Sequence, residues 1–256
     1  MKKAFLTVAA ITAATGLNIV SANAVELTGN AGLVSNYVFR GADASNGKAA
    51  AQGGLDLNAG MFYAGTWLSS VQVAKTVEVL DPSMAAVDVT ETEDSGVEVD
   101  LYAGFGNTVG DFNWGVGATY YGYTDNVIDP FIEANLSAGW KWLSISINPG
   151  KFLSNERDNN IKLDQEYIYY EATAEVKGFY GTAGYWDWDQ IKGAPDQSIK
   201  SAGYFELGYG DTLTVNNIDL FDYKISYVYA DRDLIANDQS QNTLIFGITK
   251  NFSILK

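Results

Sequence analysis

The stretch G-V-E-V-D-L-Y-A-G-F, residues 96–105, decides the fold, because apolar and polar side chains alternate through most of it. Val97 and Leu101 stand on one side of this alternation, and Glu98 and Asp100 stand on the other. Successive side chains of a β-strand point to opposite faces of a sheet. The pattern therefore predicts a strand with one apolar face and one polar face.

The same alternation continues along the chain and predicts twelve strands. They cover residues 27–40, 48–58, 61–73, 96–106, 111–123, 131–139, 142–148, 164–177, 179–187, 201–209, 219–230 and 241–252. The connectors between them are alternately long and short. Short turns at one end, long loops at the other and an even strand number are typical of outer-membrane barrels. The sequence therefore predicts an all-β fold, a transmembrane antiparallel up-and-down β-barrel of about 12 strands.

Alternation alone does not say which face meets water, since a soluble sandwich has the same period with its apolar side inward. Three features favour the membrane. The strands approach the roughly 9–11 residues that a tilted membrane-spanning strand needs, aromatic residues stand near segment ends, and the polar side mixes small groups with charges. The predicted aromatic girdle is Tyr63, Trp67, Phe112, Trp114, Tyr227, Tyr229 and Phe252. A soluble periplasmic β-protein is the alternative.

The first predicted strand ends in G-L-V-S-N-Y-V-F-R-G, residues 32–41. With apolar side chains outward, Leu33, Tyr37 and Phe39 are expected to face lipid. Asn36 and Arg40 are then expected to face the lumen, with Arg40 at the mouth, where the strand meets the first loop. The predicted lumen residues are Arg40, Lys48, Asp56, Glu98, Asp100, Glu133, Glu171, Glu175, Glu206, Asp222 and Lys224.

Eight acids and three bases are thus predicted inside a cavity with low-dielectric walls. Such a cavity focuses a negative potential and enriches cations. We therefore expect passive diffusion of small polar or cationic solutes with a weak preference for cations. Two alternatives stay open: the charges form a salt-bridged network that fills a closed barrel, or the barrel is closed and its acidic surface loops serve adhesion or recognition.

The first 24 residues have the composition of a secretory signal. A cationic start with Lys2 and Lys3 is followed by an apolar core, and Ala22-Asn23-Ala24 supplies the small-residue cleavage pattern. We expect cleavage after Ala24, which leaves residues 25–256 as one barrel domain. The sequence after residue 24 has no run of roughly 18 apolar residues, so it predicts no transmembrane helix. The predicted location is the outer membrane of a Gram-negative bacterium.

The charge and the missing residue types exclude several functions. Without Lys2 and Lys3 the chain has 14 basic and 31 acidic residues, so it offers no basic surface to nucleic acid. It has no cysteine and no histidine, which removes disulfides, histidine-based catalysis and histidine-ligated zinc. No cofactor or metal is predicted. The carboxylate pairs Glu98/Asp100 and Glu171/Glu175 share faces, but such pairs arise from composition alone and no enzyme activity is expected.

Two loop regions have unusual compositions. Residues 74–95 are rich in acids but lack the spacing of an EF-hand calcium loop. A solvated loop is the favoured interpretation, and its alternating valines indicate that the flanking strands project as a hairpin. The W-D-W-D stretch, residues 186–189, is interpreted as part of the interfacial girdle, with a sugar-stacking platform as the alternative.

The N-terminal third of the chain resembles a known family. L-T-G-N-A-G-L-V-S-N-Y-V-F-R-G (27–41), A-A-Q-G-G-L-D (50–56) and F-Y-A-G-T-W (62–67), with residues 96–105, resemble the TorF-type porins of proteobacteria. The resemblance implies an outer-membrane barrel with porin function. Such barrels usually end on an aromatic residue that the barrel-assembly machinery recognises, whereas four residues follow Phe252 here. The sequence does not indicate the oligomeric state.

Overall fold

The computed structural model of the chain describes residues 25–80, 87–153, 165–190, 200–231 and 242–255. In chain order the strands of these ranges are β1 (Val25–Val34), β2 (Val38–Phe39), β3 (Ala42–Asp43), β4 (Ala50–Ala59), β5 (Phe62–Leu80), β6 (Val87–Val109), β7 (Phe112–Tyr123), β8 (Phe131–Trp140), β9 (Leu143–Phe152), β10 (Gln165–Val176), β11 (Phe179–Trp188), β12 (Ala202–Val215), β13 (Ile218–Ala230) and β14 (Asn242–Leu255). A 3₁₀ helix, Thr124–Asn126, precedes β8. Within the described ranges no helix has the length and apolar character needed to cross a membrane. The predicted signal peptide lies outside the described residues.

Twelve of the strands form one closed antiparallel barrel. From β4 onward each strand pairs with the next one in the chain, β14 pairs with β1, and β1 pairs with β4. β2 and β3 form a separate two-stranded sheet. Closure removes the two free edge strands that an open sheet would have. The predicted all-β barrel of twelve antiparallel strands is confirmed.

Several predicted boundaries are wrong. The first predicted strand runs to residue 40, whereas β1 ends at Val34. Residues 210–215, which lie between the predicted strands 201–209 and 219–230, continue β12, and the chain turns at Asn216 and Asn217. Both asparagines have positive φ angles, 51° and 62°. A two-residue type I′ turn needs this backbone at both positions, and asparagine tolerates it better than most residues.

The acidic stretch 74–95 belongs to a long hairpin. β5 and β6 stay paired through all of it, as far as Leu80 opposite Val87. β4 accompanies β5 only to Ser69, and β7 accompanies β6 only to Glu98. The hairpin therefore projects beyond its neighbours, as its alternating valines predicted. The prediction of a loop over 74–95 is wrong for residues 74–80 and 87–95, which are strand. Residues 81–86, at its tip, lie outside the described residues.

The connections define two ends of the barrel. Five connections of two residues each, after β4, β6, β8, β10 and β12, lie at one end, which we call the short-turn end. The other connections lie at the opposite end, which we call the long-loop end. The segment between β1 and β4, residues 35–49, starts from the long-loop end.

The two faces of the wall have opposite character. The outward side chains are mostly large, apolar and exposed, among them Leu33, Leu68, Leu101, Phe105, Ile132, Leu136, Ile147, Phe205, Leu207, Leu244, Phe246 and Ile248. The inward side chains include the buried polar residues Glu98, Asp100, Thr119, Glu133, Asn135, Asn148, Thr182 and Ser226. A barrel that presents its apolar side outward and its polar side inward has the pattern of a transmembrane barrel.

The structure places the predicted girdle residues on both faces of the wall. Phe112, Tyr227, Tyr229 and Phe252 are outward and exposed, and Trp114 is half-buried on the same face. Tyr63 and Trp67 were placed wrongly, because both point inward and are 7% exposed. Tyr63 pairs with Gly104 and Trp67 with Asp100, so the odd positions of β5 share the lumen face of the inward positions of β6.

The residues after Phe252 extend the last strand. Ser253 pairs with Thr28, and a bulge between Leu27 and Thr28 brings Leu255 opposite Leu27. The ring of Phe252 covers Gly29, whose added Cβ would lie 2.5 Å from a ring carbon. The aromatic residue near the C-terminus therefore sits on the outer wall at the short-turn end.

Candidate functional site

Of the segment between β1 and β4, residues 36–45 fold back into the barrel. β2 and β3 form a minimal hairpin, and the two residues between them, Arg40 and Gly41, have φ angles of 49° and 87°. Positive φ at both positions is the type I′ geometry that favours Asn-Gly. Arginine adopts it at a cost of about 1–3 kcal/mol. We call residues 38–43 the plug hairpin.

Side chains flanking the plug hairpin fix its two legs. The Asp43 carboxylate accepts a hydrogen bond from the Ser45 N–H at 3.0 Å. The Ser45 hydroxyl oxygen accepts one from the Tyr37 N–H at 2.8 Å. The Gln72 N–H of β5 donates to the Ala44 carbonyl at 2.9 Å, which ties the segment to the barrel wall.

Arg40, at the tip of the plug hairpin, forms a buried ion pair with Glu133 of β8. Its two terminal nitrogens donate to the two carboxylate oxygens of Glu133 at 2.5 and 3.1 Å, and the side chains are 4% and 0% exposed. The guanidinium lies 4.0 Å from the ring centre of Tyr169, and the Trp186 indole N–H donates to the Arg40 carbonyl at 3.1 Å. Burial opposes the charge of Arg40, and the ion pair with Glu133 compensates for it.

Aromatic rings surround the plug hairpin. The ring centre of Phe39 lies 5.6 Å from that of Tyr121 and 6.2 Å from that of Trp186, and Tyr37 lies 5.4 Å from Trp67. Every strand of the barrel contributes a buried inward residue at this level, namely Val34, Ala50, Val71, Asp100, Tyr121, Phe131, Asn148, Tyr169, Trp186, Tyr204, Val228 and Ile245. We call this ring of residues, with the plug hairpin inside it, the plug layer. It fills the cross-section of the lumen at the long-loop end.

The predicted orientations of Tyr37 and Phe39 are therefore wrong. Both were expected to face lipid as part of a strand, but they are 3% and 8% exposed inside the barrel. The reason is that β1 ends at Val34, so the alternation of residues 35–41 belongs to the inserted segment. Asn36 and Arg40 are inside the barrel as predicted, although Arg40 arrives on the plug hairpin and not at the end of a strand.

Inward tyrosines and glycines face each other across neighbouring strands. The pairs are Tyr63 with Gly104, Tyr102 with Gly65, Tyr167 with Gly150, Tyr180 with Gly208 and Tyr204 with Gly184. A Cβ added to any of these glycines would lie 2.2–2.5 Å from an atom of its tyrosine. The glycines therefore provide the space in which the tyrosine side chains lie against the wall.

The hydroxyl groups of these and other tyrosines donate to the inward acids. Tyr167 bonds Glu133 at 2.8 Å, Tyr180 bonds Glu206 at 2.6 Å, Tyr169 and Tyr204 bond Glu171 at 2.5 and 3.0 Å, and Tyr102 bonds Asp56. Sequence reasoning missed these contacts. The signal was the presence of tyrosine on the polar side of the alternation, where its ring has no apolar partner but its hydroxyl has an acid.

The short-turn half of the lumen differs from the plug layer. Asp56, Glu175, Glu206, Asp222 and Lys224 all point inward there, and all are partly exposed. Asp222 accepts hydrogen bonds from Thr212 at 2.5 Å and from Asn251 at 2.7 Å. Lys224 lies 3.8 Å from Glu206. We call this region the lower lumen; its polar, partly exposed side chains line a wet cavity.

Lys48 was placed wrongly in the lumen. It precedes β4, which starts at Ala50, and its ammonium contacts Glu93 of the projecting hairpin at 2.5 Å. The two side chains are 50% and 41% exposed. A solvent-exposed pair of this kind contributes little stability. The other predicted lumen residues lie inside the barrel.

The tryptophans of the W-D-W-D stretch are also inside, so their interpretation as girdle residues is wrong. Trp186 and Trp188 pair with the inward Tyr169 and Tyr167 of β10. The Trp188 ring centre lies 4.4 Å from that of Tyr167. Asp187, between them, points outward and is exposed. The two tryptophans extend the plug layer towards the long loops.

The predicted carboxylate pairs do share faces. Glu98 and Asp100 are 1% and 0% exposed, and the Tyr37 hydroxyl donates to Glu98 at 3.2 Å. Neither carboxylate oxygen of Asp100 has a hydrogen-bond partner in the described part of the chain. The hydroxyl groups of Tyr169 and Tyr204 bind Glu171. Glu175 lies four residues further along β10, towards the short-turn end. Within the described residues no three acidic side chains gather as metal ligands.

A closed twelve-stranded barrel with an apolar outer wall, a polar lumen and an inserted hairpin is the class of protein that fold and site define. The profile of a family described as "Bacterial protein of unknown function (Gcw_chp)" matches residues 19–183, and the chain belongs to that family. No curated protein matches the chain by sequence. The resemblance to TorF-type porins stays a prediction.

Solved structures are similar to this chain at low sequence identity. A chain from the study "Unveiling the Mechanism Behind the in-meso Crystallization of Membrane Proteins" is 11% identical, with a TM-score of 0.52, covering 90% of this chain and 84% of that one. The CymD monoaromatic hydrocarbon channel has a TM-score of 0.37 at 10% identity, covering 92% and 90%. Pseudomonas aeruginosa OpdK with vanillate has 0.37 at 10% identity, covering 90% and 98%. The first of these likenesses shows a common fold.

Proposed function

We propose that this chain is an outer-membrane channel for the passive diffusion of small hydrophilic solutes, and that it belongs with the TorF-type porins it resembles. The observation that carries the proposal is the closed barrel with exposed apolar side chains outside and partly exposed acids in the lower lumen. A wall of this kind needs lipid on one side and water on the other.

The proposal includes a route to the membrane. Residues 1–24 direct export and are removed, and the barrel-assembly machinery inserts residues 25–256 into the outer membrane of a Gram-negative bacterium. Cell fractionation and gel mobility test this step. We expect the folded protein in the outer-membrane fraction, with a band that shifts when the sample is heated. A folded protein that stays soluble in buffer without detergent would support the periplasmic alternative.

The plug hairpin sets the state of the channel in this proposal. In this proposal the plug layer closes the path while Arg40 is bound to Glu133 across the lumen. Conduction then requires that the plug hairpin leave the plug layer, so the channel opens and closes. The long-loop half acts as a gate. The lower lumen acts as the compartment that solutes enter from the short-turn end.

A weak preference for cations is the finer part of the proposal. Asp56, Glu175, Glu206 and Asp222 line the lower lumen, and Lys224 is the base among them. Partly exposed carboxylates in a cavity with low-dielectric walls raise the local concentration of cations. The preference is weak because Lys224 and hydrogen-bond donors such as Thr212 offset part of the potential.

Planar-bilayer recording under a salt gradient tests the function. We expect brief, infrequent openings of the reconstituted protein, with a reversal potential whose sign indicates a preference for cations. The control is the same protein inserted after heat unfolding, which should give no defined steps. A reversal potential on the chloride side would contradict the cation preference while leaving the channel proposal intact.

A second function is favoured by the plug layer itself. A barrel that is filled permanently would serve as a scaffold for its long loops, whose acidic surface would bind a partner by adhesion or recognition. Complete absence of openings, both in the native chain and in a variant without residues 38–43, would support this function over the channel.

A further inference from the structure

We propose that Glu98 and Asp100 of β6 form, beneath the plug hairpin, a buried binding site for a divalent cation of the calcium type. The two residues are separated by one position and therefore point to the same, inward face of the strand. This inference does not depend on the channel function, since the site belongs to the closed state of the barrel.

The unpartnered carboxylate of Asp100 is the first observation. Asp100 is 0% exposed, and neither of its oxygens has a hydrogen-bond partner in the described part of the chain. Asp100 pairs with Trp67 on one side and with Tyr121 on the other, so neither flanking strand supplies a basic group there. A buried polar group without a partner is rare and points to an ion or ligand.

The charges around the site are the second observation. The nearest base is Arg40, but its guanidinium already forms a two-bond ion pair with Glu133. Glu98 has the Tyr37 hydroxyl as a donor at 3.2 Å, and that hydroxyl is uncharged. Two carboxylates are thus left without a compensating charge in a layer from which water is excluded. Buried charges in proteins are paired or coordinate a metal ion.

The chemistry of the donors selects the kind of cation. The site offers the carboxylate oxygens of Glu98 and Asp100 and the Tyr37 hydroxyl, and the chain has no histidine or cysteine. Oxygen donors favour calcium and magnesium over the softer transition metals. Magnesium gives up its water reluctantly and demands a regular octahedron, whereas calcium accepts flexible oxygen cages. In a dry layer calcium is therefore favoured, and a charge of +2 balances the two carboxylates.

The affinity is expected to be modest. Only two carboxylates meet here, and the number of charged ligands sets calcium affinity. A dissociation constant of about 0.1–1 mM, the range of extracellular calcium modules, is expected. Such a site would fill at the cell surface and empty in the presence of a chelator. Because Tyr37 leads into the plug hairpin, the bound ion would hold the inserted segment in place.

The experiment uses the full chain refolded in detergent and measures calcium binding by calorimetry, with magnesium and sodium as comparison ions. It also records the temperature at which the folded gel band is lost. We expect one calcium per chain, and a rise of about 5 °C at roughly 100 times the dissociation constant. Asp100→Asn and Glu98→Gln are each expected to weaken calcium binding at least about tenfold.

Asp222→Asn is the matched control, since Asp222 is also an inward acid but has its own donors in Thr212 and Asn251. It should bind calcium as the native chain does. If Asp100→Asn fails to fold, calcium binding by Glu98→Gln and by the native chain tests the proposal. Three results would overturn the proposal: no calcium binding by the folded native chain, calcium binding by both site variants equal to that of the native chain, or equal unfolding temperatures of Asp100→Asn and the native chain without any ion, which would mean that protons already keep the pair neutral.

Discussion

The two halves of this barrel share one wall but differ inside. In the plug layer Arg40 and Glu133 are almost fully buried, whereas in the lower lumen Lys224 and Glu206 are 14% and 18% exposed and 3.8 Å apart. The wall is the same because its outward face meets one environment along its whole height. The interiors differ because a hairpin enters only from the long-loop end. The difference teaches that the strands determine the barrel and that one short connection determines whether its lumen is filled.

The strongest way to break this contrast is to remove the plug hairpin. Deletion of residues 38–43 should raise single-channel conductance many-fold, because the lumen then lacks the hairpin that occupies its cross-section. The barrel should still fold, since β1 and β4 remain paired from Val25–Ala59 to Val34–Ala50 without it. Planar-bilayer conductance and the heat-shifted gel band measure the two effects.

Lys48→Ser is the control for the deletion, because Lys48 lies in the same connection but outside the lumen. Its conductance should equal that of the native chain. If the deletion variant folds and conducts no better than the native chain, the filled lumen has another cause and the plug hairpin is not the constriction.

The ion pair of Arg40 and Glu133 gives the next largest effect, this time on stability. Glu133→Gln leaves the Arg40 charge buried without its partner and should cost about 3–5 kcal/mol of unfolding free energy. The double variant Arg40→Met with Glu133→Leu removes both charges and should be close to neutral or stabilising. Urea unfolding followed by tryptophan fluorescence measures both.

The lower lumen offers the comparison for this variant. Asp222→Asn removes a charge that is partly exposed and bound by neutral donors, so it should cost only about 1 kcal/mol. Equal costs at Glu133 and Asp222 would contradict the distinction between a dry and a wet half.

The sequence predicts the wall of this barrel well and its filling poorly. Period-two alternation placed all twelve strands and the inward side of acids such as Glu133 and Asp222, because each residue of a strand faces a side fixed by its parity. The parity argument failed at Tyr37 and Phe39, because it holds only while the chain stays in the sheet. Where β1 ends is decided by contacts with β8, β10 and β11, which are distant in sequence.

The glycines opposite tyrosines allow the plug layer and the lower lumen to be compared by the cost of adding a single methyl group. Gly184→Ala would place a Cβ 2.2 Å from the ring of Tyr204 in the plug layer, and Gly208→Ala would place one 2.4 Å from the ring of Tyr180 in the lower lumen. Tyr204 is held by neighbours on all sides, so Gly184→Ala should cost about 1–3 kcal/mol. Tyr180 borders the wet cavity and can move, so Gly208→Ala should cost less. Urea midpoints rank the two variants, and a reversed order would mean that the ring of Tyr180 is the more tightly held.

Ion selectivity is expected to show the smallest effect, and it depends on the half in which a charge lies. Asp222→Asn should shift the reversal potential slightly towards chloride, and Lys224→Gln should shift it slightly further towards the cation side, because both groups border the wet cavity. Glu171→Gln should change it less, since two tyrosine hydroxyls bind that carboxylate at the edge of the plug layer. Recordings in the same salt gradient compare the three variants with the native chain. A shift at Glu171 as large as that at Asp222 would place the conducting path through the plug layer, and the boundary between the two halves would then have to be drawn closer to the long-loop end.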